Sequence, residues 1–487
     1  MTTLVPRAPY TPAELEKLYH PGDLELKQVQ VFLRHGERTP TSDRFEHLGL
    51  PVYWPFCNAA RQMKNAVLLA DDGKLAHDDP KAWDTLNWQR RIDRFGPDGK
   101  RIIGKGSLTE DEVICISGQL TDLGRQTTLA LGQRLRHLYV NQLKFMPATI
   151  SNASGIYLRA THMSRAQESL QQTFTGMYLP DQRDRFFLPA ITIRRSADDG
   201  LYPNNYGCPR FNQLFELFSK QAAAKFDQSP AMDMLNSKLR KRMPDNAMVA
   251  VRGHPALAGI MDTNNARRAH GLALPKEFDD PEVIQAIDAI TVQEWFAGFF
   301  KNREYRSVGI GSLIGDINEN IINHIENTNS SFKLSLNGCH DTTIAGIMTS
   351  LGLFQGEHWP PFTSHIAIEL FRKKDYPTES PKPRGTFAFL TGSAATPSIG
   401  RTPSHELSAQ QLSSMDGYYV RMRYNDRPFT IPGCRMPGNH LDGDESFCTL
   451  AAFKKICDKM VPRDWKQACN SNLDKGVIAE ENIEAGY

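Results

Sequence analysis

The chain has 487 residues, 40% of them apolar and 23% charged, a globular composition long enough for more than one ordinary domain. Its 57 Lys and Arg against 55 Asp and Glu leave a formal charge of +2, so nothing in the overall charge favours nucleic acid or a membrane surface. No segment approaches the roughly 20 apolar residues of a membrane span, and the opening MTTLVPRAPYTPAELEKLYHPGD lacks the apolar core of a secretion signal, so a cytoplasmic protein is expected.

From Leu24 to Phe32 polar and apolar residues alternate, and Gly36 and Pro40 then break the pattern, which predicts a strand running into a loop. Residues 41–110 are rich in Trp, Asp, Gly and Pro with little periodicity and read as an inserted loop or lid. GQLTDLGRQTTLALGQRLRHLYV predicts a helix capped by Thr121, with Leu131, Leu135, Leu138 and Tyr139 on its apolar stripe. SGIYLRATHMSRAQESLQQTF reads as strand, turn and helix. Helical patterns without a strand fill the stretch from about Leu201 to Arg303. Alternation then resumes with SLIGDINENIINHIE as helix, SFKLSLNGCHDTTIAGIMTSLG as strand, loop and helix, and HIAIELF, GTFAFL and YYVRMRY as strands. The expected organisation is an α/β core over 1–197 and 305–487, with 41–110 as a lid insertion and 198–304 as a helical cap subdomain.

The eight cysteines are thinly spread, although four fall in the last 54 residues, and no CxxC pair occurs. That argues against a structural zinc site or a thioredoxin-like motif. Without a secretion signal, reduced thiols are expected. Asn152 and Asn329 begin glycosylation sequons that read as chance. RGHP at 252–255 reads as a turn, and GIGSLIG at 309–315 has neither the spacing nor the preceding strand of a nucleotide loop.

Chemistry concentrates at three strand ends: Arg34, His35 and Arg38 after the first, Arg159 after the second, and His340 with Asp341 after the third. Ligands bind outside the carboxyl ends of strands in open α/β sheets, so residues 300 positions apart can converge there. Guanidinium forks suit a tetrahedral oxyanion, because each supplies two parallel charge-assisted hydrogen bonds.

These residues carry a resemblance. RHGERTP resembles the RHGxRxP signature of the histidine acid phosphatases, in the histidine phosphatase superfamily that includes phytases, and HDTT at 340–343 is similar to their second motif. GQLTDLG, RATHMSRAQES, PPFTSHIAIEL and YYVRMRYNDRP extend the likeness over essentially the whole chain, and MDTNNARRAHGLALP looks more like the lysophosphatidic acid phosphatases than the phytases. The resemblance implies a phosphoglycerate-mutase-like three-layer α/β sandwich with a mainly parallel sheet and an inserted helical subdomain. It implies a metal- and cofactor-independent hydrolase of small phosphomonoesters, with no nucleic-acid partner. His35 would be the nucleophile forming a phosphohistidine and Asp341 the general acid. Arg34, Arg38, Arg159 and His340 would hold the phosphoryl oxygens, and Arg165 would orient its neighbours. Cys339, where many relatives carry a small residue, is expected to pack without harm but could make the site sensitive to thiol reagents.

Two further readings stay within reach of the motifs: a lysophosphatidic acid or inositol-phosphate phosphatase, and an inert protein that binds phosphorylated ligands. The mutases and bisphosphatases of the superfamily carry a different sequence after RHG and use a Glu as acid, which Arg38-Thr39-Pro40 and the HD pair argue against. HDTT likewise disfavours the inositol-phosphate phosphatases with an HAE-type motif.

Overall fold

The computed structural model describes residues 8–20, 23–69, 79–96, 98–103, 114–326, 331–377, 399–478 and 484–487. α1 (Pro12–Tyr19) opens with a capping box between Thr11 and Glu14. β1 (Leu24–Arg34) follows and is buried over its last seven residues. Two hairpins, β2 (Lys64–Leu68) with β3 (Trp83–Asn87) and β4 (Asp93–Phe95) with β5 (Arg101–Ile103), occupy the region that reads from sequence as irregular. Strands of three to five residues, mostly exposed on both faces, carry no alternation to detect.

α2 (Asp122–Leu135) begins where the sequence predicts, with Thr121 Oγ1 accepting from the Gly124 amide. Next come β6 (Ile156–Ala160), α3 (Ser164–Met177) and β7 (Ile191–Ile193). The helices α4 (Pro209–Phe226), α5 (Pro230–Leu239), α6 (Leu257–Ala269) and α7 (Pro281–Lys301) then run before the short α8 (Arg303–Arg306) and α9 (Ser312–Ile325). β8 (Leu334–Cys339) leads straight into α10 (Asp341–Ser350), and β9 (His365–Lys373), α11 (Ala409–Ser413) and β10 (Tyr418–Tyr424) follow. β11 (Arg427–Phe429), β12 (His440–Leu441), β13 (Asp444–Thr449), α12 (Leu450–Asp458) and α13 (Trp465–Cys469) complete the chain. The expected strand GTFAFL lies outside the described residues.

The main sheet runs β12-β13-β10-β9-β1-β8-β6-β7, with β11 paired to β10. β1, β8, β6 and β7 are mutually parallel, and β9, β10, β13 and β12 extend the sheet antiparallel. β1 shows how its sequence builds the layers. Val29, Val31 and Leu33 pack with Leu131 of α2 and Leu170 of α3 on one face. Phe32 packs with Ile317 of α9 and Ile344 of α10 on the other. Gln28 and Gln30 share that second face and stay satisfied, donating to the Asn320 and Ile317 carbonyls at 3.0 and 3.1 Å. α5, α6 and the start of α7 surround a third core that also takes in Phe45 and Trp54.

The cysteines correct the sequence reading. Six of the eight are joined as Cys57–Cys115, Cys208–Cys469 and Cys434–Cys448, leaving Cys339 and Cys457 as buried thiols. Separations of 58 and 261 residues hide two of these pairs from any local spacing rule. Among the described residues, no helix is long and apolar enough to cross a membrane.

Candidate active site

The carboxyl ends of β1 and β8 lie side by side, with Arg34 paired to Cys339 in register. The loop after β1 is clamped by close backbone approach. A Cβ on Gly36 would lie 2.3 Å from the Gly124 carbonyl oxygen, and one on Gly124 would lie 2.2 Å from that of Glu37. Only glycine fits at either position, and the N-terminus of α2 therefore seats directly on the loop that carries His35 and Arg38.

His35 is buried, and its Nδ1 lies 2.9 Å from the Gly36 carbonyl oxygen. A carbonyl can only accept, so Nδ1 carries the proton and the neutral ring keeps its lone pair on Nε2. Burial foremost, and then the Arg165, Arg38 and Arg34 charges, hold the ring well below its ordinary pKa. His340 meets it edge-on at 5.5 Å between ring centres, with Nε2 3.0 Å from Thr161 Oγ1. Burial and then Arg165 lower His340 to about 3. Both imidazoles are thus neutral over the physiological range.

The guanidinium groups around them carry two carboxylates. Arg34 pairs with Asp341 Oδ2 at 2.8 Å, donates to the Pro360 carbonyl and lies 4.2 Å over the Phe362 ring. Arg38 pairs with Asp262 Oδ1 at 2.8 Å, and Arg44 reaches the other oxygen of Asp262 at 3.7 Å. Arg165, in the first turn of α3, donates to the Met163 sulfur and is lowered to about 10, by burial first and by Arg38 next. Asp341 also accepts from Trp359 Nε1 at 3.0 Å. Burial alone would raise Asp341, but Arg34 and then Arg38 carry it below the usual carboxylate value, and Arg38 and Thr41 do the same for Asp262. These groups share one end of a cavity of about 800 Å³. A phosphoryl group seated there meets three guanidinium forks, an uncharged ring nitrogen and a carboxylate, which are the parts phosphoryl transfer needs. Among the described residues no cluster of His, Cys, Asp and Glu could hold a metal ion.

Five of the six residues singled out from the sequence, Arg34, His35, Arg38, His340 and Asp341, meet in this cavity, and Arg159 does not. Arg159 lies within β6, where side chains alternate between faces, so it shares a face with Tyr157 and lines a separate small polar cavity. There it donates to Asp316 of α9 at 2.8 Å and lies 3.6 Å from Asp199. Arg165, six residues on, stands in the main cavity instead. The legible signal was position: a residue in the first turn of the helix after a strand sits at the sheet's carboxyl edge, and one inside the strand faces a layer. Asp262, on α6, and Trp359 were not singled out. Cys339 is fully buried, and burial pushes its thiol up to about 12, which makes it unreactive.

The model of the histidine phosphatase superfamily, branch 2, matches residues 25–425. A probable acid phosphatase of Schizosaccharomyces pombe is 33% identical over 92% of this chain and 95% of its own length. Lysophosphatidic acid phosphatase type 6 of Bos taurus is 23% identical over 72% of this chain and 75% of its own. The crystal structure of the Bifidobacterium longum multiple inositol polyphosphate phosphatase in complex with inositol hexasulfate superposes with a TM-score of 0.52 over 98% of both chains, at 10% identity. That last likeness is one of fold.

Proposed function

Because the chain belongs to branch 2 of the histidine phosphatase superfamily and is an acid phosphatase, we propose that it hydrolyses phosphomonoesters through a phosphohistidine at Nε2 of His35. The observation that carries this reading is a buried, neutral His35 facing Arg34, Arg38 and Arg165, with Asp341 within reach of the same cavity. In the first step Nε2 bonds to phosphorus, the P–O bond to the alcohol breaks, and the departing oxygen takes a proton from Asp341. In the second, water bonds to phosphorus, the N–P bond breaks, and Asp341 takes the water proton. Arg34, Arg38, Arg165 and His340 hold the non-bridging oxygens, Asp262 positions Arg38, and Arg159 steadies β6 through Asp316.

Asp341 is held ionised by Arg34 in the free site, so its proton arrives with the substrate. A phosphomonoester loses its second proton near pH ~6. The monoanion passes that proton to Asp341, and the resulting dianion takes over the guanidinium of Arg34. Activity therefore belongs to the acid side and declines above about pH 6. The three disulfides favour an oxidising compartment over the cytoplasm expected from the N-terminal sequence.

Rapid-quench labelling with p-nitrophenyl phosphate tests the chemistry. The wild-type protein should carry a transient label, stable to base and labile to acid. His35→Ala should carry none and keep less than about a tenth of the turnover. Asp341→Asn should release one equivalent of nitrophenol and accumulate the label, since this leaving group needs no acid but the water step lacks its base. Label on another residue, or a folded His35→Ala protein with near-normal turnover, refutes the assignment.

A further inference from the structure

Away from His35 the cavity changes character. Among the described residues its lining cations, Arg34, Arg38, Arg44 and Arg165, all belong to the phosphoryl end, where Asp262 ties Arg44 to Arg38, and none is a lysine. The lining contributed by α4 and α7 is aromatic. Phe211 and Phe215 of α4 face Trp295, Phe296 and Phe299 of α7, with Phe215 and Trp295 ring centres 5.0 Å apart. The two ends are joined at the acid. Trp359 donates its indole N–H to Asp341 at 3.0 Å, and its ring packs 4.9 Å from Phe296 and 5.8 Å from Trp295. The leaving oxygen must lie against Asp341 to receive a proton. The group attached to that oxygen is thereby directed along Trp359 onto the aromatic wall.

From this geometry we infer that the enzyme selects monoesters of a single phosphate with an extended apolar alcohol, and discriminates against polyanionic phosphate esters. The inference rests on the phosphomonoesterase reading of the same site. An apolar group leaving water for the wall gains free energy with each methylene buried, whereas a sugar or inositol ring must shed the hydration of all its hydroxyls against a wall whose polar atoms are few, Trp295 Nε1 and the Tyr305 hydroxyl among them. Among the described residues a second phosphate would find Arg44 alone, already engaged by Asp262. A free alkyl alcohol is also the kind of leaving group that requires full protonation, which explains why Trp359 fixes the Asp341 carboxyl at this position.

The test is kcat/KM across methyl, butyl, hexyl and octyl phosphate, with glycerol 3-phosphate and inositol hexakisphosphate as polar comparators. The expected result is a rise of about two- to fourfold per methylene until the wall is filled, with both comparators below octyl phosphate. Phe215, only partly buried, can be changed without opening the core, and Phe215→Asn should reduce the octyl-to-methyl ratio about tenfold or more. A flat series, an unchanged ratio in Phe215→Asn, or inositol hexakisphosphate exceeding octyl phosphate overturns the inference. Calorimetric binding of n-alkylphosphonates to the same protein reads the wall without turnover. If the His35 chemistry fails, a chain-length dependence of phosphonate affinity still supports the inference, and its absence still refutes it.

Discussion

Two clusters of buried arginines occupy opposite halves of the sheet, and they are finished differently. In the antiparallel half, Arg421 places Nε and Nη2 on Glu369 at 2.9 and 2.7 Å and a third nitrogen on the Leu18 carbonyl. Arg423 reaches the Tyr19 and Tyr10 hydroxyls at 2.6 and 2.7 Å, Glu369 at 3.3 Å and Asp426 at 3.0 Å. In the parallel half, the Nε atoms of Arg34, Arg38 and Arg165 are buried without a hydrogen-bond partner, and Arg165 has no carboxylate partner among the described residues. Four guanidinium groups there face two carboxylates. Fully satisfied charge fixes a strand arrangement, while charge left in excess of its partners binds an anion. Burial of arginine alone distinguishes neither, nor does an unpartnered Nε, which Arg159 also has beside its two carboxylates; the balance of guanidinium groups against carboxylates does.

The comparison is most sharply tested by breaking the satisfied cluster. Glu369→Gln removes the anion shared by two fully buried arginines, and losing one partner of a buried pair costs about 3–5 kcal/mol. The expected outcome is a large fall in denaturation midpoint with turnover per folded molecule unchanged. A stable but inactive variant would mean that the two clusters are functionally one.

Arg165→Ala and Arg159→Ala address the same distinction on one strand–helix turn. Loss of a preorganised oxyanion donor costs about 10²–10³ in rate, so Arg165→Ala should lower kcat/KM by about that much in a protein of near-normal stability. Arg159→Ala should show the reverse, a loss of stability as the buried Asp199 loses its guanidinium neighbour and Asp316 one of its three, with catalysis largely kept. Equal catalytic losses in both variants would restore Arg159 to the phosphoryl site.

The contrast explains what could be read from the sequence. The meeting of Arg34, His35, Arg38, His340 and Asp341 in one cavity was legible because strand alternation and loop signals place them at strand ends, and the parallel neighbours β1 and β8 bring those ends together. Arg159 was misplaced by one structural step: it was taken as a loop residue, but β6 extends through Ala160, which turns its side chain onto a sheet face. Asp262, which accepts from the Thr41 amide, lies 221 residues from it, and no local pattern signals that meeting. Two of the three disulfides, Cys57–Cys115 and Cys208–Cys469, were illegible for the same reason. Helices and long strands were readable from period alone, and the hairpins between residues 64 and 103 were too short to have one.

The smallest expected effect concerns protons, and it separates the clusters by pH. His340 titrates near 6.5 when unfolded and is lowered to about 3 in the folded protein. Between those values the unfolded chain binds one more proton than the native one at this residue, so stability falls as pH falls, by about 1.4 kcal/mol per pH unit. His35, lowered for the same cause, adds a contribution of the same sign. The depressed carboxylates act in a different window. Asp341, Asp262 and Glu369 contribute stability that is fully present above the unfolded carboxylate range near 4, and they lose it only as pH drops through their lowered folded values. From pH 6.5 down to about 4.5 the buried histidines therefore lower stability, opposed by Glu294, whose carboxyl burial raises to about 7 and which binds its proton first in the folded protein. Replacing His340 by Asn should flatten the pH dependence of the denaturation free energy by about one proton's worth over that interval, leaving the steeper loss below pH 4 in place. An identical slope in wild type and His340→Asn would mean that His340 is protonated in the folded site, and a cationic imidazole beside Arg165 would then have to be reckoned among the phosphate's ligands.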